Sequence, residues 1–171
     1  CDCFKALVRQ LGGDLLCLGE GQVGNILTVD IPDFQINMNA LETALTTDTV
    51  AVIVNSPNNP SGVVYTEQTL RKIGAILKEK EEQYGHPVYI IADEPYRELV
   101  YGEVTVPFIP AIYENTIVCY SYSKSLSLPG ERIGYIYVPK ALVDNYKVAS
   151  NWSTYASQIR AIEDYPEITG G

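Results

Sequence analysis

The sequence predicts an α/β fold of three αβα layers around a mostly parallel sheet. Two observations carry this expectation. Strand-like and helix-like segments alternate along the chain. The strand-like runs are continuously apolar and β-branched, the pattern of strands buried on both faces. With 171 residues and an apolar content of 46%, the chain is long enough for one domain with its own core.

The elements follow in order. Phe4, Leu7, Val8 and Leu11 have helical spacing, and Gly12-Gly13 ends that helix. Asp14 to Leu18 reads as a short strand, and residues 19–36 as an irregular surface loop. Asn39 and Glu42 are spaced as a capping box for a short helix reaching Leu45. Val50 to Val54 is a buried strand, and Asn55 to Gly62 a turn-rich loop. Thr66 caps a helix whose Leu70, Ile73, Ile76 and Leu77 recur at spacings of three and four; Gly85 stops it. Val88 to Ala92, Thr116 to Tyr120 and Ile133 to Val138 are further strands. Residues 140–160 read as one long helix, and residues 165–171 as a frayed tail.

Composition narrows the function classes. The formal net charge of -9 disfavours nucleic-acid binding. No apolar run reaches the roughly 18 residues that cross a bilayer, so no membrane span is expected and a cytoplasmic location is the default. Cys1, Cys3, Cys17 and Cys119 have no metal-ligand spacing; Cys17 and Cys119 lie in apolar runs and read as core residues. The single histidine, His86, stands in a Gly-His-Pro turn, leaving almost no material for a zinc site or a histidine-based triad.

The unusual polar residues follow the predicted strands. After Val54 comes Asn55-Ser-Pro-Asn-Asn59-Pro60-Ser61-Gly62. After Ala92 comes Asp93-Glu-Pro-Tyr96. After Tyr120 comes Ser121-Tyr-Ser-Lys124, then Pro129-Gly130-Glu-Arg132-Ile-Gly134. Each piece alone has an ordinary reading: a turn, a helix cap, a surface lysine, an ion-pair arginine. Open α/β sheets bind ligands beyond the carboxyl ends of their strands. If the strands are parallel neighbours, the three pieces converge on one crevice.

Taken together, these motifs resemble the large domain of class I/II aminotransferases, the aspartate-aminotransferase-like enzymes of pyridoxal-phosphate fold type I. The resemblance covers most of residues 4–148. It rests on Asn58-Asn59-Pro60-Ser61-Gly62, Ala92-Asp93-Glu94-Pro95-Tyr96, Ser121-Tyr122-Ser123-Lys124 and Pro129-Gly130-Glu131-Arg132-Ile133-Gly134. It implies that Lys124 forms a Schiff base with pyridoxal 5'-phosphate and then serves as the base that moves the substrate's α-proton. It implies that Asp93 pairs with the ring nitrogen, that Tyr96 and Asn59 bond the ring's phenolic oxygen, and that Ser121 and Arg132 hold the phosphate. The catalytic set is thus Lys124, Asp93 and Tyr96.

The implied activity is amino-group transfer between an amino acid and a 2-oxo acid, in a homodimer. The same residues would serve a C–S lyase or a decarboxylase of the same fold type. A non-catalytic pyridoxal-phosphate-binding module and an inactive fragment are the remaining alternatives. Residues 1–171 are expected to form a single partial large domain. The family's N-terminal segment and small domain, with its carboxylate-binding arginine, are expected to lie outside it.

Overall fold

The structure is a computed structural model that describes residues 14–18, 26–27, 29–30, 35–150 and 152–160. The expected helix at 4–11, its Gly12-Gly13 stop, Cys1, Cys3 and the 165–171 tail lie outside the described residues, as does the side chain of Cys17.

A six-stranded sheet runs in the order β2-β1-β5-β6-β7-β8. Its members are β1 (Asp14–Leu18), β2 (Ile26–Leu27), β5 (Thr49–Asn55), β6 (Tyr89–Asp93), β7 (Thr116–Ser121) and β8 (Gly134–Tyr137). All neighbours are parallel except β7 and β8. Val29–Asp30 (β3) and Gln35–Ile36 (β4) form a separate antiparallel pair. The 19–36 segment is therefore not wholly irregular. Its two-residue strands are too short to show an alternation in the sequence.

Alternation along the central strands fills both faces. Val52, Val54, Ile90, Ala92 and Val118 point to one side. They pack against Leu41 of α1 (Met38–Ala44) and against Leu70, Ile73 and Leu77 of α2 (Glu67–Tyr84). Ala51, Tyr89, Ile91 and Ile117 point to the other side and meet Leu142, Val143 and Tyr146 of α4 (Lys140–Val148). A one-turn helix, α3 (Tyr122–Ser125), follows β7 directly. The three expected layers are present. Cys119 is partly buried against the second cluster.

Thr66 caps α2 through a bond from the Thr69 N–H, and Gly85 ends it in the left-handed region at φ 76°. Two other expectations are corrected. The cap of α1 is Asn37 rather than Asn39: Asn37 Oδ1 accepts from the Ala40 N–H at 2.9 Å. Asn39 lies inside the helix, and its carbonyl accepts from Thr43 Oγ1 at 2.8 Å. Both asparagines can cap, and the start at Asn37 goes with full burial of Leu41. Nor is 140–160 one helix. Helix α4 stops at Val148, Ala149 turns extended, and a 3-10 turn spans Ser153–Gln158. Ser150, Asn151, Ser153 and Thr154 are poor helix formers, whose side chains compete for the backbone.

Candidate active site at the strand ends

The parallel register brings Asn55 level with Asp93, and Asp93 level with Cys119, at the carboxyl ends of β5, β6 and β7. The three polar segments therefore leave the sheet side by side.

Asp93 is the last residue of β6. Removal from water pushes its carboxyl up from 3.8 to about 6, and the neighbouring Glu94 carboxylate adds to the rise. Asn55 Nδ2 donates to the Asp93 carbonyl at 3.0 Å and to Asp93 Oδ2 at 3.3 Å. Asp93 caps no helix: turn residues follow it.

The loop after β5 is tied through asparagine side chains. Asn58 Oδ1 accepts from the Ser61 hydroxyl at 2.7 Å and from the Ser61 N–H at 3.2 Å. This turn presents Asn59, whose Nδ2 donates to the Tyr96 hydroxyl at 3.0 Å. That bond leaves the phenol hydrogen of Tyr96 available to a ligand.

The turn that carries Tyr96 is closed by an ion pair between the residues that flank it, Glu94 and Arg97. Glu94 is 2% exposed and pairs with Arg97, with Nε to Oε2 at 2.6 Å and Nη2 to Oε1 at 3.1 Å. Arg97 also donates to the carbonyls of Val106 at 3.1 Å and Pro107 at 2.7 Å. Burial pushes the Glu94 carboxyl up, and Arg97 opposes that rise.

Lys124 lies in α3, with Nζ 5.7 Å from the centroid of the Tyr96 ring. Ser121 caps that turn: its hydroxyl accepts from the Ser123 N–H at 3.2 Å. Tyr120 reaches across to the neighbouring loop. Its hydroxyl donates to Glu98 Oε2 at 2.7 Å and lies 2.6 Å from Ser125 Oγ. Tyr120 thereby links the lysine turn to the segment that carries Tyr96.

The β7–β8 register pairs Ser121 with Gly134, which brings the 129–134 loop to the Ser121 end of the site. Arg132 is exposed, stands at φ 55°, and donates to the Pro129 carbonyl at 3.3 Å. His86 is remote from these groups. It bonds the carbonyls of Thr47 and Pro87, near the opposite ends of β5 and β6. Among the described residues no acidic, cysteine and histidine side chains cluster as a metal site.

Comparison with known proteins identifies the family. The family of class I and II aminotransferases matches residues 17–162. The chain belongs to this family. The aspartate aminotransferase of Geobacillus stearothermophilus is 35% identical over 140 residues, which are 77% of this chain and 34% of that protein. An aminotransferase structure from Eubacterium rectale is 39% identical and superposes with a TM-score of 0.78, covering 92% of this chain and 44% of that one. A pyridoxal-phosphate-bound aminotransferase structure from Clostridium difficile, 20% identical, shares the fold with a TM-score of 0.71. This family uses pyridoxal phosphate. The chain spans about a third of the length of the curated relatives it matches.

Four supporting residues carry no role in the sequence reading: Asn55, Glu94, Arg97 and Tyr120. The sequence signals that point to any of them are the strand-end position of Asn55 and the place of Glu94 in the Ala92-to-Tyr96 motif.

Proposed function

We propose that these residues form the cofactor-binding and catalytic core of a pyridoxal-phosphate-dependent aminotransferase acting on an amino acid and a 2-oxo acid. One observation carries the reading. An amine, a carboxylate, a phenol and an amide converge from three adjacent parallel strands at one edge of the sheet.

The donor set fits the cofactor group by group. The Lys124 amine matches its aldehyde. The Asp93 carboxylate matches its ring nitrogen. Tyr96 and Asn59 offer N–H and O–H groups to its phenolic oxygen. Ser121 and Arg132 supply a hydroxyl and a forked cation suited to phosphate. When bound, pyridoxal phosphate supplies an electron sink for the negative charge left at the substrate α-carbon.

The chain's own residues do the rest. Lys124 Nζ would hold the cofactor at its aldehyde carbon and, when an incoming amine takes its place there, would be the base that takes and returns the α-proton. Asp93, ionised, would pair with the ring nitrogen and keep it protonated. Tyr96 and Asn59 would stabilise negative charge on the phenolic oxygen, and the Glu94–Arg97 pair closes the turn that carries Tyr96.

The homodimer and the partial large domain belong to the same proposal. Leu99, Tyr101, Leu126 and Leu128 are exposed on the segments that follow Tyr96 and Lys124, which supports a partner surface there. A cytoplasmic setting is proposed with it; among the described residues no helix is long and apolar enough to cross a membrane.

The test is borohydride reduction of the native protein loaded with pyridoxal phosphate, followed by peptide mass mapping. The expected adduct is on Lys124, and Lys124→Ala removes both the adduct and the visible absorption band of the bound cofactor. An adduct on another lysine, or an unchanged band in the variant, would overturn the reading.

A further inference from the structure

Asn55 touches both segments that carry the ring-binding groups. Its Nδ2 donates to the carbonyl of Asp93 and to Oδ2 of the same residue. Its Oδ1 accepts from the Asn59 N–H at 2.9 Å and from Asn58 Nδ2 at 3.3 Å. A primary amide has two N–H groups and two lone pairs on oxygen. Here the nitrogen makes two contacts on the Asp93 side and the oxygen two on the Asn59 side. The orientation is also decided by chemistry, since a flipped amide would set its oxygen against two oxygens of Asp93.

These bonds close a ring. Asn55 joins Asp93 to Asn59, Asn59 joins Tyr96, and Tyr96 is three residues from Asp93 along the chain. A shift of any one member would strain the next. Asn58 braces the ring from outside through its bonds to Ser61.

We propose that Asn55 is a positioning residue that aims the Asp93 carboxylate at the cofactor's ring nitrogen and, through the same amide, sets Asn59 against Tyr96. The proposal rests on the reading of Asp93 as the partner of that nitrogen. Holding Oδ2 leaves Oδ1 as the oxygen that faces the ligand. An N–H donor on Oδ2 also favours the ionised carboxylate, against the burial that disfavours it. Asn55 therefore supplies both direction and charge state to a group that touches the cofactor, without touching the cofactor itself.

The test uses two probes on the native protein freed of cofactor. One is pyridoxal phosphate. The other is its carbocyclic analogue, which has C–H in place of the ring nitrogen and keeps the aldehyde, phenolic oxygen and phosphate. Equilibrium binding of each is measured for the wild type, Asn55→Ala, Asn55→Asp and Asp93→Asn. Asn55→Asp keeps the acceptor for the Asn59 N–H, so it guards against a collapsed loop in Asn55→Ala, and it replaces the donor to Asp93 with a carboxylate oxygen that opposes it.

The wild type is expected to prefer pyridoxal phosphate. Asn55→Ala should lose about ten-fold of that preference, the worth of one hydrogen bond to a charged group, and Asn55→Asp at least as much, while both hold the analogue as the wild type does. If both variants keep the preference, or lose the two probes equally, Asn55 does not act through the ring nitrogen and the proposal fails. If the Asp93→Asn variant keeps the preference, the assignment of Asp93 fails and the role of Asn55 falls with it.

Discussion

Asn59 donates its side-chain amide to the phenol oxygen of Tyr96 at 3.0 Å, joining loops that leave two adjacent strands. Two donors are thereby aimed from different strands at one position. That arrangement suits an oxygen carrying negative charge, because each donor stabilises the charged form.

Tyr96→Phe removes one of the two donors. On the proposed reading, the phenolic oxygen of the bound cofactor then holds its charge less well. The visible band of the bound cofactor should titrate at higher pH, by roughly one pH unit, about 1.4 kcal/mol. A spectral titration of wild type and variant measures this. An unchanged midpoint would remove Tyr96 from the cofactor's surroundings.

The Glu94–Arg97 pair makes a prediction about stability. Glu94 is 2% exposed, and Arg97 fastens it to the Val106 and Pro107 carbonyls. Arg97→Met leaves a buried carboxylate without its partner, which typically costs about 3 kcal/mol. Urea melts should show that loss, with early proteolysis in the 98–108 segment. A loss of only a few tenths, as for the exposed Arg71–Glu67 pair, would mean that water replaces the arginine.

Much of this site was legible because the α/β pattern places polar residues at strand ends. Val50 to Val54 and Val88 to Ala92 announce buried strands. Asn55 and Asp93 then stand where such strands stop. The supports were less legible. Glu94 is an ordinary acidic residue in sequence, and only tertiary packing shows that it is buried and tied to Arg97. The start of α1 was read two residues late because Asn37 and Asn39 are both cap-competent, and burial of Leu41 is not a local property. The break after Val148 carries no glycine or proline, only a run of poor helix formers, and so has no sharp stop signal in the sequence.

Gly134 ends the Pro129-to-Gly134 motif, and the structure gives a physical reason for glycine there. A Cβ there would collide with the carbonyl oxygen of Tyr120 and meet Ser121 Cα at 3.3 Å. Those are backbone atoms, and they cannot yield without opening the β7–β8 pairing that carries Ser121. Gly134→Ala should destabilise the fold by about 1–3 kcal/mol. Gly130→Ala, in the same loop with nothing within 4 Å, should be nearly neutral. Equal melting behaviour of the two variants would contradict the steric account.

The Asp93 carboxyl makes the cofactor-free protein pH-dependent, with a definite sign. Its pKa in the fold is raised by burial to about 6, against 3.8 ordinarily. The folded state thus holds this proton more tightly than the unfolded chain does. The stability it contributes is fully present below 3.8 and is lost as pH rises through about 6. The loss is up to roughly 3 kcal/mol. Asp93→Asn has no such proton to give up. In urea melts of the cofactor-free protein, the variant should match the wild type near pH 4 and exceed it at pH 7. The gain should appear between those values, while the variant binds pyridoxal phosphate less well. Parallel stability curves across that range would show that the Asp93 carboxylate is not held at a cost by the fold. If the curves diverge as expected, the destabilising group is the one proposed to meet the ring nitrogen, and binding a protonated ring would reverse its sign.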